Sequence, residues 1–140
     1  MSHSSYPLHL HYMGLPALDN SRQAFFGLLS ALPFAERENT GAQVLERIIE
    51  RAREHFALEE RFMQATAYGE LREHCDEHQE TLDLLQRMQA SFAQANGRRS
   101  RDALYQRVLR NLDEHVQSLD ACLALHLNRP QSWEARQHVA

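Results

Sequence analysis

The sequence predicts an all-α protein, an up-down-up-down four-helix bundle with an irregular N-terminal arm. Apolar residues recur at i, i+3, i+4 and i+7 in four long segments, as in helices that bury one face. No segment shows the alternation of apolar and polar residues that is typical of a strand. Short links separate the segments, so consecutive helices are expected to lie antiparallel.

Composition indicates a single domain with an arm over residues 1–17, a bundle over about 18–128 and a tail over 129–140. The net charge is -4, and all fifteen basic residues are Arg, mostly interleaved with Asp and Glu, so nucleic-acid binding is not expected. No apolar run reaches the length of a membrane span, and the N-terminus lacks the pattern of a signal sequence. We therefore expect a cytoplasmic protein that does not bind membranes.

The first two helices have recognisable ends. Asp19 is the predicted N-cap of the first helix, which is expected to end before Pro33. The second helix is expected to begin after Asn39 or Thr40 and to run to about Thr66.

The later helices are bounded by turn-forming sequences. Tyr68 and Gly69 predict a turn, after which the third helix is expected to reach about Ala95. Asn96-Gly97 predicts the next turn, Ser100 can cap the fourth helix, and that helix is expected to end near Asn128. The tail, with Trp133 and His138, is expected to be a loosely packed extension.

Two cysteines lie on predicted helices that face one core. In a reducing compartment a disulfide between Cys75 and Cys122 is not expected. Both are interpreted as small buried hydrophobic residues.

Polar side chains interrupt the predicted core faces of three helices. A buried imidazole or carboxylate costs a few kcal/mol unless a partner compensates it, so several of them on facing helices favour a shared metal ion. Imidazole suits iron, copper and zinc, and a carboxylate can bridge two cations. The residues concerned are His55, Glu59, His74, His78, His115 and Asp120.

The six residues form three pairs along the sequence, and the pairs differ in their spacing. His55 with Glu59, and His74 with His78, are four residues apart and should stack on one helix face. His115 and Asp120 are five apart, about 140° around an ideal α-helix, so they are expected to flank a centre rather than stack.

These residues resemble a known family. The string His55-Phe56-Ala57-Leu58-Glu59-Glu60, followed by His74, His78, His115 and Asp120, is similar to the H-F-x-x-E-E, H-x-x-x-H and H-x-x-x-x-D pattern of hemerythrins and bacteriohemerythrins. The segment from Gly14 to Leu32 is similar to the opening segment of the family. The resemblance covers nearly all of the chain.

The resemblance implies a non-haem di-iron centre that binds dioxygen reversibly inside a four-helix bundle. It implies that His74, His78 and His115 hold one iron. It further implies that His55 serves the second iron, with Glu59 and Asp120 bridging the two.

The chain departs from the family pattern on the first helix, where Arg22 stands in place of a histidine ligand of the second iron. Three outcomes are open. In the first, a residue of the arm replaces the missing imidazole, and the candidates are His11, His9 and Tyr12. In the second, the second metal ion binds with His55, two carboxylates and water only. In the third, the Arg22 guanidinium fills the space and pairs with Glu59 or Asp120, which leaves one metal ion or none.

The leading interpretation is a non-enzymatic, iron-containing protein that binds dioxygen or a related small molecule for storage, delivery or sensing. One alternative is an oxidase or peroxidase that uses an under-ligated iron. Another is a degenerate family member, a structural or regulatory module that carries zinc or a single iron.

Overall fold

The computed structural model describes residues 12–139 and shows a helical bundle in which no described residue lies in a strand. The main helices are α1 (Pro16–Arg37), α2 (Gly41–Ala65), α3 (Leu71–Ser91) and α4 (Gly97–His115). A π-helical turn, Val116–Asp120, continues α4 directly into α5 (Ala121–Leu127), and these three form the fourth rod of the bundle. The predicted fold class is confirmed. Within 12–139 no helix is both long and apolar enough to span a bilayer.

Helix α1 is longer at both ends than the sequence predicts. It begins at Pro16, whose missing N–H is not needed in the first turn. Asp19 is therefore inside the helix, and its carboxylate accepts a 2.7 Å hydrogen bond from the Met13 N–H. The helix also continues through Pro33 to Arg37.

Tyr105 explains why Pro33 is tolerated within α1. Pro33 has no N–H to donate to the Leu29 carbonyl, four residues earlier. The Tyr105 hydroxyl of α4 donates to that carbonyl at 2.9 Å. A neighbouring helix thus satisfies the backbone acceptor that proline leaves open.

The connection between α3 and α4 lies earlier in the sequence than the predicted boundaries place it. Helix α3 ends at Ser91, before the predicted Ala95, and α4 begins at Gly97 rather than after Ser100. A Cβ at Gly97 would overlap the backbone carbonyl oxygen of Ser91, so this close approach requires glycine. Between α2 and α3 the left-handed residue is Ala67, at φ 53°, and not Gly69.

The expectation for the cysteines is wrong in detail. Cys122 is exposed and Cys75 half-buried, so neither is a fully buried hydrophobic residue, although both are free thiols as expected. The tail contains a 3-10 turn, Pro130–Ser132, and α6, Trp133–Arg136, and α6 buries none of its residues. The Ser132 hydroxyl donates to the His126 carbonyl at 2.8 Å.

The core consists of two apolar clusters. The larger includes Phe25, Phe56, Leu84 and Val116, and the smaller includes Leu18, Phe62 and Leu123. Each of the four rods passes from one cluster to the other through a short stretch of buried polar residues. These stretches form one polar layer across the bundle, and this layer is the candidate site.

Candidate metal centre

All four rods contribute buried side chains to the polar layer. Each of the six predicted site residues is buried. Arg22 of α1 joins them and is 2% exposed. Helix α2 supplies His55 and Glu59, α3 supplies His74 and His78, and the fourth rod supplies His115 and Asp120.

Four of these side chains converge closely enough to hold one metal ion. One ligand atom from each of Glu59, His74, His78 and His115 lies within 4.8 Å of the other three. His74 Nε2 is 3.1 Å from Glu59 Oε2, and His78 Nε2 is 3.6 Å from Glu59 Oε1. Three imidazoles and a carboxylate therefore face a common point.

The π-helical turn brings His115 and Asp120 together, and the expectation that they flank a centre is wrong. In a π-helix the hydrogen bonds run from i to i+5, so residues five apart come onto one face. His115 Nε2 is 2.9 Å from Asp120 Oδ1, which is also 3.1 Å from His74 Nε2. The carboxylate of Asp120 thus borders the cluster of ligand atoms.

The convergent atoms include several that form no hydrogen bond. These atoms lie close to other polar atoms, but the angles of the contacts are not those of hydrogen bonds. Such an arrangement is expected when the lone pairs of several atoms point at a shared cation. Buried polar atoms rarely lack a partner, so their collection at one point fits a metal ion. These atoms are Glu59 Oε1, His78 Nε2, His115 Nε2 and Asp120 Oδ1.

His55 lies on the side of the layer that faces α1. Its Nε2 is 2.9 Å from Glu59 Oε1, and its Nδ1 is 3.1 Å from the Ser21 hydroxyl. His55 does not belong to the four-residue cluster, and it reaches that cluster through Glu59.

Arg22 occupies the space beside Asp120. Its Nη2 donates to Asp120 Oδ2 at 2.6 Å, and both side chains are buried. This is the geometry of the third outcome considered for the sequence. Tyr12, a proposed replacement ligand, is 70% exposed, unlike the buried side chains of the layer. His11 and His9 lie outside the described residues.

The charges of the layer are strongly coupled. Burial alone would raise the pKa of Glu59, but the charge of His55 and the close polar contacts of His55, His74 and His78 hold it well below its usual range. Burial would lower the pKa of His74, but the close contacts and charges of Asp120 and Glu59 outweigh it and raise that pKa to about 9. In the metal-free protein His74 therefore carries a proton at neutral pH.

Glu60 supports the site from outside, a role that the sequence analysis did not assign. Its Oε2 is 3.3 Å from His78 Nδ1, and its Oε1 accepts a 3.2 Å hydrogen bond from the Cys75 thiol. The Phe56 ring stacks on His78 with a centroid distance of 4.1 Å. A carboxylate that hydrogen-bonds the ring nitrogen not bound to the metal holds a ligating imidazole in its orientation and increases its basicity. The sequence feature that could have predicted this role is the second Glu of the Glu59-Glu60 pair in the family pattern.

A four-helix bundle with a buried layer of four imidazoles and two carboxylates, three of the imidazoles converging with one carboxylate, is a metal-binding bundle. The family model of the hemerythrin HHE cation binding domain matches residues 13–123. The chain belongs to this family, as the resemblance of its motifs implied. No curated protein and no solved structure matches the chain.

Proposed function

We propose that this protein holds non-haem iron at His74, His78 and His115, with Glu59 and Asp120 completing the donor set. Through that iron it binds dioxygen or a related small molecule, for storage, delivery or sensing. The observation that carries the proposal is the convergence of buried donor atoms, several without a hydrogen-bond partner, in a member of the HHE cation-binding family.

The residues of the layer suit iron. Mixed imidazole and carboxylate donors favour a divalent first-row metal, and zinc is the competing ion for three imidazoles. Bound iron supplies a site for a small ligand and an electron for its reduction. The chain itself excludes water, because apolar clusters lie on both sides of the layer and Phe56 covers the His78 ring.

Metal content per chain and the optical spectrum test the proposal. Protein from iron-replete medium should retain iron after desalting, and its spectrum should change reversibly between air and anaerobic reduction. His115→Gln should lose the iron, whereas His126→Gln should keep it, because His126 Nε2 lies 3.1 Å from the Thr66 carbonyl, outside the donor cluster. Retention of no metal, or of zinc with no spectral response to dioxygen, would overturn the proposal.

The same preparation separates binding from catalysis. A carrier or sensor should take up dioxygen to a fixed stoichiometry and then stop. Sustained consumption of dioxygen or peroxide with an added reductant would identify an oxidase or peroxidase instead.

A further inference from the structure

We infer that the guanidinium of Arg22 is a built-in second cation of the polar layer, so that the site holds one metal ion per chain. This inference rests on the proposed metal-binding function and concerns the number of ions. It follows from the position of Arg22 against Asp120, from its burial and from the charges of the layer.

The two oxygens of Asp120 face different groups. Oδ1 lies near His115 and His74, on the side of the four-residue cluster. Oδ2 accepts the 2.6 Å hydrogen bond from Arg22. The carboxylate therefore spans from the metal position to a fixed cation, in the way that a bridging carboxylate spans two metal ions.

Burial makes the ion pair between Arg22 and Asp120 costly to break. Both members of the pair are almost fully inaccessible, with side-chain exposures of 2% and 3%. Breaking such a pair leaves an uncompensated charge in the core, which is strongly unfavourable. A second metal ion at Asp120 Oδ2 would have to displace the guanidinium from this contact.

The charge balance favours the same conclusion. The two buried carboxylates, Glu59 and Asp120, carry two negative charges, and Arg22 returns one positive charge. A single negative charge remains, and one divalent ion already more than compensates it. A second divalent ion would place a large excess of positive charge in an apolar environment, where charge repulsion is weakly screened.

Counting bound metal ions in matched variants tests the inference. Anaerobic titrations with Fe²⁺, and in parallel with Zn²⁺, would be followed by calorimetry and by elemental analysis after desalting. The wild type should bind one ion per chain. Arg22→His, which removes the cation and adds an imidazole, should bind two. Arg47→His makes the same substitution at an exposed position of α2 and should bind one.

Arg22→Gln separates the charge from the new ligand. It should bind one ion, and its metal-free form should melt at a lower temperature than the wild type, because Asp120 loses its cationic partner. Circular dichroism establishes that each variant folds. Two ions in the wild type, or equal numbers in wild type and Arg22→His, would overturn the inference and leave the proposed function intact. If Arg22→His does not fold, the wild-type count decides alone. No ion in the wild type would instead refute the proposed function, and this inference with it.

Discussion

His115 Nε2 and Asp120 Oδ1 lie 2.9 Å apart because a π-helical turn separates the two residues. In a continuous α-helix a five-residue step would turn one of them about 140° away from the other. The Ser118 hydroxyl donates to the Glu114 carbonyl at 2.6 Å within this stretch, so the widened turn has a local side-chain partner. The fourth rod can therefore present an imidazole and a carboxylate to the same layer.

Deletion of Ser118 should preserve the site. A π-turn contains one residue more than the α-helix that it interrupts, so its removal restores an α-helix in which the two ligands are four apart and still share a face. We expect the zinc affinity of the Ser118 deletion to stay within about threefold of the wild type. Deletion of exposed Arg110, in regular α-helix, should rotate the preceding part of α4 by about 100° and abolish binding. Competition with a chelating dye measures both affinities. Loss of zinc binding in the Ser118 deletion would show that the π-turn itself is needed.

The sequence predicts the helices and the donor residues better than it predicts this turn. Apolar periodicity identifies four rods, and the i, i+4 pairs His55 with Glu59 and His74 with His78 need only α-helical geometry to meet. The contact of His115 with Asp120 depends on a local change of helix type, and periodicity assumes a single type throughout. The left-handed conformation of Ala67 is also not predictable, since residue propensities favour Gly69, two residues later, for that conformation.

The passage of α1 through Pro33 was not predictable for a different reason. Its compensation comes from Tyr105, 76 positions away from Leu29 in the sequence. Tyr105→Phe should destabilise the protein by about 1 kcal/mol, since it leaves the Leu29 carbonyl without a donor. In a Pro33→Ala background the cost should fall by at least about half, because the N–H of residue 33 then bonds that carbonyl. Urea unfolding of the four proteins measures the coupling. Equal costs in both backgrounds would contradict this account.

Two helical glycines should respond to alanine with opposite signs. Gly97→Ala should destabilise the protein by about 2 kcal/mol or more, because its Cβ would overlap the carbonyl of Ser91. Gly27→Ala should stabilise it by about 0.5–1 kcal/mol, because Gly27 is exposed within α1 and no atom lies within 4 Å of the added Cβ. Thermal unfolding of the two variants provides the comparison. A tolerated Gly97→Ala would mean that α3 and α4 can separate at this turn without loss.

The contact of Glu60 with His78 should strengthen metal binding. Glu60→Gln keeps the shape of the side chain but removes the charge that acts on His78 Nδ1 at 3.3 Å. We expect the zinc affinity to fall by about 10- to 100-fold, the usual effect of losing a carboxylate behind a ligating imidazole. Glu80→Gln, on the exposed face of α3, is the matched control and should leave affinity unchanged. An equal response of the two variants would remove Glu60 from the support of the site.

The raised pKa of His74 predicts that rising pH destabilises the metal-free protein, whereas the contribution of a bound metal ion to stability grows. In the metal-free fold this pKa is about 9, against an ordinary value of 6.5, because Asp120 and Glu59 outweigh the effect of burial. The folded state therefore binds the proton more tightly than the unfolded state. The resulting stability is fully present below pH 6.5 and is lost as the pH rises through 9, so the melting temperature of the metal-free protein should fall across this interval.

A bound metal ion must displace that proton, so its contribution to stability should grow as the pH rises. The difference in melting temperature between zinc-loaded and metal-free protein should therefore widen from pH 6.5 upward, when free zinc is buffered at a constant concentration. His74→Gln should flatten the pH dependence of the metal-free form, because it removes the titrating imidazole, whereas His138→Gln at the exposed C-terminal end should not change it. A metal-free melting temperature that rises between pH 6.5 and 9 would show that His74 does not carry the proton that its contacts with Asp120 and Glu59 favour.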